Sequence, residues 1–298
     1  MSLIAACVVY LDADPKQLQE LLNTIAQSSI QKKALWANGI PSAGVTAVCD
    51  ETHTIILGKG NNLGLAHAFN QFSRWAEDQG ADYAVCFDED SDITADSLTT
   101  LTREFIALKK AYGDQLAALG PRLIDRRTHR PMMQYAPYGL FRKTISGELF
   151  ADHLISSAMI FDLQAYRTIG PFNESFFIDL VDIEWCLRAR SKGYLLKVST
   201  SAVLHQAIGL ASRKLLGRAI YVHRPERNYY MVRNCIWLIR FAPMSTSRRF
   251  NEAFHLILRI IHLVLMGGWP LQRLSHIGRG MISGLGKPTL RSDQQTRI

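Results

Sequence analysis

Short apolar runs alternate with amphipathic segments through the first 120 residues, and this alternation constrains the fold more than any other feature. Apolar runs typical of strands cover residues 3–11, 33–36, 54–57, 83–87 and 116–119. Helical periodicity covers residues 64–79 and 95–112, and another helix begins at Asp14-Pro15, where a capping aspartate precedes a first-turn proline. Repeated strand–helix units predict an α/β chain with a mostly parallel, doubly wound sheet.

Four carboxylates follow the apolar run at residues 83–87, within the segment Asp88-Glu89-Asp90-Ser91-Asp92. In open α/β sheets, ligands bind beyond the carboxyl ends of the strands. Clustered carboxylates there suit a hard divalent cation, which prefers oxygen ligands and often shares them with a substrate's phosphates. A solvated acidic turn is the alternative that this segment leaves open when taken alone.

A second acidic group, Asp179, Asp182 and Glu184, lies among aromatic residues at 176–185. If this segment is helical, Glu184 lies one turn before Arg188, and the two side chains can form an ion pair. Asp182 points about 200° away from Glu184, which leaves its carboxylate free to face a cleft. Acids at a helix start also complement the helix dipole, and that explanation suffices for any one of them.

The second half of the chain is less regular. Prolines and glycines between residues 120 and 149 predict irregular structure or short antiparallel strands. Beyond them we expect a strand at 154–161, helices at 164–169 and 181–192, and one or two strands at 194–204.

The composition indicates an ordered chain. Apolar residues make up 48% of the sequence, and the mean hydropathy is +0.00. The five cysteines are scattered without a CxxC pair, which favours buried, reduced thiols. No run approaches the roughly 18 apolar residues of a spanning helix, and the first residues do not resemble a signal peptide. We therefore expect a cytoplasmic protein.

The net charge of +8 is concentrated in the last third of the chain. From Arg213 to Arg297 the acids are Glu226, Glu252 and Asp293 alone, which points to an anionic surface as partner. The segment lacks the aromatic and basic pattern of a nucleic-acid groove, so no nucleic-acid partner is expected.

Helical periodicity covers residues 229–241 and 249–266 in this basic region. In the second helix a narrow polar stripe interrupts an otherwise apolar surface: Asn251, His255, Arg259 and His262. Such a helix can lie in a membrane interface, which would make the protein peripheral to the inner face of the plasma membrane. Packing against the α/β part of the chain is the alternative.

Five segments resemble the family 2 glycosyltransferases, and within them the rhamnosyltransferase-like branch. They are residues 62–70 (NLGLAHAFN), 87–91 (FDEDS), 170–174 (GPFNE), 177–190 (FIDLVDIEWCLRAR) and 229–234 (YYMVRN). They occur in the family's order, and the resemblance covers about residues 3–240. Each motif is short, so the ordered set carries the resemblance rather than any one of them.

The resemblance implies a GT-A fold, in which a Rossmann-like, mostly parallel sheet is fused to a mixed acceptor-binding half. We assign this domain to residues 1–225, and residues 226–298 to a C-terminal basic helical region. The resemblance also implies an inverting transfer from a nucleotide-sugar donor, such as dTDP-rhamnose, to a glycan or lipid-linked acceptor in surface polysaccharide synthesis.

The family's motifs assign roles to residues of this chain. Asp88 and Asp90 match the DxD motif, in which Asp90 binds Mg²⁺ or Mn²⁺ on the diphosphate and Asp88 holds ribose or a metal-bound water. His205 would complete the metal site, with a structural histidine as the alternative. Asp182 matches the catalytic base, which takes a proton from the attacking hydroxyl group.

Asn38, Asn62, Gly64 and Arg233 are the predicted nucleotide-sugar-binding residues. Gly64 would let the backbone approach the nucleotide, since glycine lacks the Cβ that blocks close contact. Arg233 matches a family arginine near the substrate, and it could equally bind a phosphate or a lipid.

Two positions depart from the family pattern. Ala37 stands where the family usually has an aspartate that contacts the nucleobase, and Ser156-Ser157-Ala158 stands where it usually has Ser-Gly. These substitutions keep an alternative open, in which the chain is a non-catalytic sugar-nucleotide or glycan-binding subunit of a polysaccharide assembly complex.

Overall fold

The computed structural model describes residues 2–126, 129–131, 142–143, 149–206, 211–215, 218–222, 225–266 and 270–288. Its centre is a nine-stranded sheet with the order β3-β2-β1-β4-β8-β5-β9-β7-β6. The strands of this sheet are β1 (Ile4–Tyr10), β2 (Lys32–Ala37), β3 (Ile55–Leu57), β4 (Tyr83–Asp88), β5 (Leu116–Asp125), β6 (Arg142–Lys143), β7 (Leu149–Phe150), β8 (Met159–Asp162) and β9 (Leu195–Gln206). Two further strands, β10 (Ala211–Leu215) and β11 (Arg218–Val222), pair antiparallel with each other.

Helices cover the sheet and continue beyond it. They are α1 (Pro15–Ala26), α2 (Ala43–Glu51), α3 (Leu65–Asp78), α4 (Ala95–Tyr112), α5 (Leu163–Ile169), α6 (Val181–Ser191), α7 (Pro225–Phe241), α8 (Thr246–Met266) and α9 (Pro270–Leu285). The predicted α/β class and the order of elements are confirmed.

The sheet has a parallel half and a mixed half. Strands β3, β2, β1 and β4 are parallel, whereas β8 runs antiparallel to both β4 and β5. The chain winds outward from β1 to β3 and then returns to the other side of β1 to form β4. The strand order therefore reverses beside β1, and a crevice forms there at the carboxyl ends of the strands.

The predicted strand at 154–161 is too long at its start, because β8 begins only at Met159. Ala158 adopts a left-handed conformation with φ 57°, and its N–H donates to the Cys86 carbonyl at 2.7 Å. The chain therefore turns at Ser156–Ala158 before it enters the sheet. Most of the predicted irregular segment at 120–149 lies outside the described residues, although β5 extends to Asp125.

Helices α2 and α9 are not among the elements predicted from the sequence. Helix α2 is short, and the hydroxyl of Ser42, which caps it, accepts from the Val45 N–H at 3.3 Å. Helix α9 contains Gly278, Gly280 and Gly284, and glycine weakens helix propensity by about 1 kcal/mol relative to alanine.

Glycines in α9 allow close packing against α7. A Cβ built on Gly280 would lie 2.7 Å from the Tyr229 carbonyl oxygen, and one on Gly284 would lie 2.9 Å from Ile236 Cβ. Met231, Val232, Leu263 and Ile277 form a small core among α7, α8 and α9. Trp237 and Leu238 of α7, and Ala242 directly after the helix, belong to the main core of the sheet. The predicted domain boundary at residue 225 stays a prediction.

Helix α8 turns its polar stripe partly inward and an apolar face outward. His262 is fully buried, whereas Phe250, Phe254 and Ile257 are 73%, 57% and 57% exposed. Across the described ranges, no helix combines the length and the apolar character that crossing a bilayer requires.

Candidate active site

A cavity of about 440 Å³ lies at the crevice beside β1. The ends of β1, β2 and β4, the turn before β8, the loop before α6 and the start of α7 contribute to its wall. The described polar residues of this wall are Asn38, Asn62, Asp88, Glu89, Asp90, Ser156, Ser157, Asp179, Asp182, Gln206 and Arg227. Asp88 and Asp182, which lie 94 positions apart in the sequence, therefore border the same space.

Asp88 is the last residue of β4, and Asp90 follows it in the adjoining turn. The Ser157 hydroxyl donates to Asp88 Oδ2, and Gln206 Nε2 donates to the same hydroxyl oxygen at 3.3 Å. Burial raises the pKa of Asp88, the Ser157 hydrogen bond opposes that rise, and the charge of Asp90 adds to it. The pair therefore forms a concentrated negative charge that favours a cation.

Asp182 lies in the first turn of α6 and accepts two backbone hydrogen bonds. The N–H of Ser156 donates to its Oδ2 at 2.9 Å, and the N–H of Ile183 donates to its Oδ1 at 2.8 Å. Burial raises the pKa of Asp182 to about 6, and the nearby Asp88 also raises it. Two consecutive serines at the turn before β8 thus hold the two aspartates: Ser156 holds Asp182, and Ser157 holds Asp88.

Glu184 is not available to the cavity. Its carboxylate accepts from Arg188 Nε at 2.8 Å and from Arg188 Nη2 at 2.9 Å, which confirms the ion pair predicted from the sequence. The two carboxylates of α6 therefore differ in their partners. Arg188 compensates the charge of Glu184, whereas the hydrogen bonds to Asp182 come from neutral backbone groups.

Glu89 holds the loop that follows β1. Its Oε2 accepts from the backbone N–H groups of Leu11, Asp12 and Ala13 at 2.7, 3.2 and 3.1 Å. Leu11 lines the cavity, so Glu89 fixes part of the cavity wall rather than acting as a free acid. The sequence alone does not distinguish this carboxylate from its neighbours.

The segment before α6 has strained backbone. Phe177, Asp179 and Leu180 have φ values of 61°, 65° and 63°, which non-glycine residues rarely adopt. Such conformations persist only where surrounding contacts impose them, and they concentrate at functional sites. Here the strain lies directly before Asp182.

Helix α7 supplies the contacts that hold this strained segment. Asn234 is fully buried, and its Nδ2 donates to the carbonyls of Phe176, Ile178 and Asp179 at 2.8, 2.7 and 2.9 Å. Arg233 Nη2 donates to the carbonyls of Ser175 and Phe176 at 2.7 and 3.2 Å.

Arg233 is 9% exposed and does not line the cavity. Its described contacts position the acidic segment, and they do not support the predicted direct contact with the donor.

Gly64 lines the cavity, yet its lack of a Cβ serves another contact. It has φ 92°, and an added Cβ would lie 2.6 Å from the Phe177 ring and 2.7 Å from the Phe177 carbonyl oxygen. The Leu65 N–H donates to that carbonyl at 2.6 Å. The glycine therefore lets α3 begin against the strained segment.

Asn38 and Asn62 shape the loop before α3. Asn62 Oδ1 accepts from the Gly64 N–H at 3.1 Å, and Asn38 Oδ1 accepts from Trp36 Nε1 at 3.2 Å. Both asparagines line the cavity, as the prediction of nucleotide binding requires, although no contact here tests that role.

His205 is not part of the cavity wall, and the next residue, Gln206, is. Neighbouring residues of a strand point to opposite faces, so the lining position of Gln206 turns His205 away. The His205 N–H donates to the Asp92 carbonyl at 2.9 Å. At the described cavity wall Gln206 therefore stands where His205 was expected, and the assignment of His205 to a metal site stays a prediction.

Comparison with known proteins shows the family of the chain. The chain is 30% identical over 246 residues to a curated protein named dTDP-rhamnosyl transferase RfbF, from Shigella flexneri, and the match covers 79% of this chain and 78% of that protein. The chain belongs to the rhamnosyltransferase-like branch of the family 2 glycosyltransferases. No family model matches the sequence.

Solved structures confirm the GT-A fold of this glycosyltransferase. Staphylococcus aureus TarS matches with a TM-score of 0.61 at 13% identity, over 94% of this chain and 49% of the TarS chain. A shorter TarS structure in complex with UDP-GlcNAc also gives 0.61 at 13% identity, over 96% of this chain and 82% of the other. GalNAc-T7 with UDP, GalNAc and Mn²⁺ gives 0.55 at 11% identity, over 90% of this chain and 59% of the other. This chain thus spans about half of the TarS chain.

The glycosyltransferase cavity fits a divalent cation that is shared with a donor. Among the described residues, no three His, Cys, Asp or Glu side chains come together as a ready metal site. Mg²⁺ and related ions are commonly held by one or two carboxylates together with substrate phosphates, and Asp88 and Asp90 supply two carboxylates. Gln206 Oε1 is buried at the same cavity without a hydrogen-bond partner among the described residues, and it adds an oxygen of suitable chemistry.

Proposed function

We propose that this glycosyltransferase moves rhamnose from dTDP-rhamnose, with inversion, to a glycan or lipid-linked acceptor in surface polysaccharide synthesis. The observation that carries the proposal is that Asp88, Asp90 and Asp182 border one cavity at the carboxyl edge of the sheet. The name of the Shigella flexneri relative supports the choice of donor.

Asp182 has the properties of the general base. Inversion requires an acceptor hydroxyl group to attack the sugar from the face opposite the leaving group, with a carboxylate in reach of its proton. A pKa of about 6 leaves Asp182 ionised at neutral pH and basic enough to accept a proton. The N–H groups of Ser156 and Ile183 hold the carboxylate in position for this transfer.

We assign Asp88 and Asp90 to the site of the leaving nucleoside diphosphate. These two carboxylates would hold a divalent cation together with the donor's phosphates, and such a cation would supply positive charge against the charge that develops on the departing group. Ser157 and Gln206 keep Asp88 in place through the hydrogen bonds described above. The Mn²⁺ in the GalNAc-T7 structure supports a divalent metal in this fold.

Recognition of the nucleobase falls to other groups, because Ala37 cannot supply the aspartate that the family usually has. Asn38 follows Ala37 directly and lines the cavity with Val9 and Leu11 at the ends of the two neighbouring strands. The Asn38 amide holds this part of the cavity wall, because its Oδ1 accepts from Trp36 Nε1 at 3.2 Å and its Nδ2 donates to the Gly64 carbonyl at 3.4 Å. We assign the base to the space that Val9, Leu11 and this amide border.

The test is a transfer assay with purified protein, dTDP-rhamnose, Mn²⁺ and a panel of glycan and lipid-linked acceptors. We expect release of dTDP together with a rhamnosylated product, whose anomeric configuration NMR can assign as inverted. Asp90→Asn and Asp182→Asn should each lower kcat by about a hundredfold or more, whereas Glu77→Gln, on α3 outside the cavity, should leave it unchanged. A kcat within about tenfold of the wild type in both aspartate variants would reject the proposal.

The same assay distinguishes the non-catalytic alternative. A binding subunit would bind dTDP-rhamnose but would neither hydrolyse it nor transfer its sugar in the presence of Mn²⁺. That outcome would replace the proposed activity while leaving the cavity as a donor site.

We also propose that α8 and α9 bind an anionic lipid surface, which places the enzyme at the cytoplasmic face of the plasma membrane. The exposed apolar residues of the two helices support this: Phe250, Phe254, Ile257 and Ile261 on α8, and Leu271, Leu274, Met281, Ile282 and Leu285 on α9. Arg240, Arg279 and Lys287 are exposed nearby, and acids are scarce in this region. Apolar area and basic charge together favour anionic headgroups.

Flotation with vesicles of phosphatidylglycerol and phosphatidylethanolamine tests this partner. The protein should float with these vesicles but not with pure phosphatidylcholine, and Phe254→Ser with Ile257→Ser should abolish flotation. Ile55→Ser removes an equally exposed apolar side chain from β3 and is the matched control, since Ile55 is 49% exposed. A dimer that buries this face, seen by light scattering together with no flotation, would contradict the lipid assignment.

A further inference from the structure

The cavity that we assign to the donor has an excess of negative charge. Five carboxylates line it, those of Asp88, Glu89, Asp90, Asp179 and Asp182. Among its described lining residues, Arg227 is the one cationic side chain. A nucleoside diphosphate is itself an anion, so its binding requires positive charge in addition to any metal ion.

Arg227 is held by one edge of its guanidinium group. Its Nε lies 3.0 Å and 3.1 Å from the two carboxylate oxygens of Asp179, and its Nη2 lies 2.7 Å from Oδ1. The Arg227 side chain is 40% exposed, and Nη1 has no hydrogen-bond partner among the described residues. Within the described part of the chain, the outer edge of the guanidinium group is therefore open to a ligand in the cavity.

Neighbouring carboxylates keep Arg227 protonated. Burial lowers the pKa of Arg227, but Asp179 raises it through hydrogen bonds and charge, and Asp88 and Asp90 raise it further. The net shift is upward, so the group stays protonated. Its charge is also within electrostatic reach of both residues of the DxD motif.

Asp179 is in turn fixed by its backbone. It belongs to the strained segment with φ 65°, and its carbonyl accepts from the buried Asn234 side chain at 2.9 Å. Asn234 and Arg227 lie on the same helix, two turns apart. Helix α7 therefore fixes both the arginine and the carboxylate that orients it.

We propose that Arg227 binds the diphosphate of the nucleotide donor, and that Asp179 is the positioning residue that orients its guanidinium group. The inference rests on the proposed function, since it takes the cavity to be the donor site. A guanidinium group presents parallel N–H donors that match phosphate oxygens, whereas a lysine offers a point charge. The contact adds diphosphate affinity that does not depend on a metal ion.

Titration calorimetry with dTDP tests the assignment in EDTA and in Mn²⁺. Arg227→Met should weaken dTDP binding about ten- to hundredfold in both conditions, the range expected for a lost charge-assisted contact. Thymidine, which has no phosphate, should bind the variant and the wild-type protein equally in ligand-observed NMR. Arg167→Met is the matched control, because Arg167 pairs with Glu77 at 2.6 Å on α5 and α3, outside the cavity. It should leave dTDP binding unchanged.

Asp179→Asn tests the positioning role by a double-mutant cycle. It should weaken dTDP binding in the wild-type background but cause no further loss when Arg227 is already methionine. A purely structural role for Asp179 would not depend on Arg227 in this way. Additive losses would therefore overturn the positioning role.

Other outcomes separate this inference from the proposed function. If the wild-type protein binds no dTDP, the proposed function fails, and this inference fails with it. If the wild-type protein binds dTDP and Arg227→Met binds it within twofold with an unchanged melting temperature, only the assignment of Arg227 is overturned. Should Arg227→Met fail to fold, Arg227→Lys decides: intermediate affinity supports the contact, and wild-type affinity overturns it.

Discussion

Replacing Asp182 by asparagine tests the general-base assignment through catalysis. The value of kcat/KM depends on the ionised base of the free enzyme. Because the pKa of Asp182 is about 6, kcat/KM should fall about tenfold per pH unit below pH 6 and should not change with pH well above pH 6. Asp182→Asn should lower kcat by about 10²- to 10⁴-fold and remove this pH dependence.

The same pKa has a consequence for stability, with a sign that follows from proton linkage. Folding raises the pKa of Asp182 from 3.8 to about 6, so the folded protein binds this proton more tightly than the unfolded chain. The stabilisation is present in full below pH 3.8 and is lost as the pH rises through about 6. A shift of about 2 units, at about 1.4 kcal/mol each, corresponds to about 3 kcal/mol. Asp182 keeps partial contact with the cavity solvent, which makes this an upper value.

Urea unfolding of the wild-type protein and Asp182→Asn at pH values between 4 and 8 measures this effect. The hydrogen bond that the amide loses, from Ser156 or Ile183, costs the same at every pH. The free energy of unfolding of the wild-type protein, relative to the variant, should therefore decrease by up to about 3 kcal/mol from pH 4 to pH 8. Asp114→Asn removes an exposed carboxylate elsewhere and is the control. A wild-type–variant difference that does not change with pH would refute the reasoning.

Further predictions concern the cavity wall, the glycine contact and the metal. Glu89→Gln should raise KM for the donor and lower the melting temperature, because the loop after β1 loses a charged acceptor for three N–H groups; a KM equal to that of the wild type would contradict this role. Gly64→Ala should destabilise by about 1–3 kcal/mol in urea unfolding through overpacking against Phe177. Gly80→Ala, at φ 74° with open space around it, measures the backbone strain alone, and equal losses would contradict the contact. EDTA should abolish transfer and added Mn²⁺ should restore it in the wild-type protein but not in Asp90→Asn; transfer that persists in EDTA would exclude a metal requirement.

The convergence of Asp88, Asp90 and Asp182 could be predicted from the sequence, because local sequence signals mark both acidic segments. An apolar strand places Asp88 and Asp90 at its carboxyl edge, and the ion pair of Glu184 with Arg188 singles out Asp182. These arguments need only strand and helix periodicity together with the order of the family's motifs. The cavity unites all three aspartates as expected.

The lining position of Gln206 could not be predicted, because it depends on which residues of β9 point to each face of the sheet. The pairing of β5 with β9 contains register shifts between Leu116 and Ala118 and between Gly120 and Arg122. A one-residue shift moves every later side chain to the other face of a sheet. Such irregularities leave no mark in the hydrophobic pattern.

The role of Gly64 could not be predicted either, because the contact that requires a glycine is with Phe177, which is distant in the sequence. The family motif predicts close approach to a nucleotide, and the nearest atoms belong instead to Phe177. Asn70 of the same motif is buried, and its side chain bonds the backbone of Phe172 at 2.8 and 2.9 Å. Part of the resemblance thus reflects residues that hold the site together rather than residues that touch substrate.

Helix α7 extends this principle to the C-terminal region. The buried amide of Asn234 stabilises the left-handed residues of the strained segment before Asp182, each of which costs of order 1–3 kcal/mol. The same helix presents Arg227 to the cavity and packs against α9 through Gly280 and Gly284. A displacement of α7 would therefore change the positions of both Asp182, the proposed general base, and Arg227, the proposed diphosphate contact. If α8 and α9 bind lipid, helix α7 links membrane attachment to the geometry of the active site, because it packs against α9 and also positions the active-site residues.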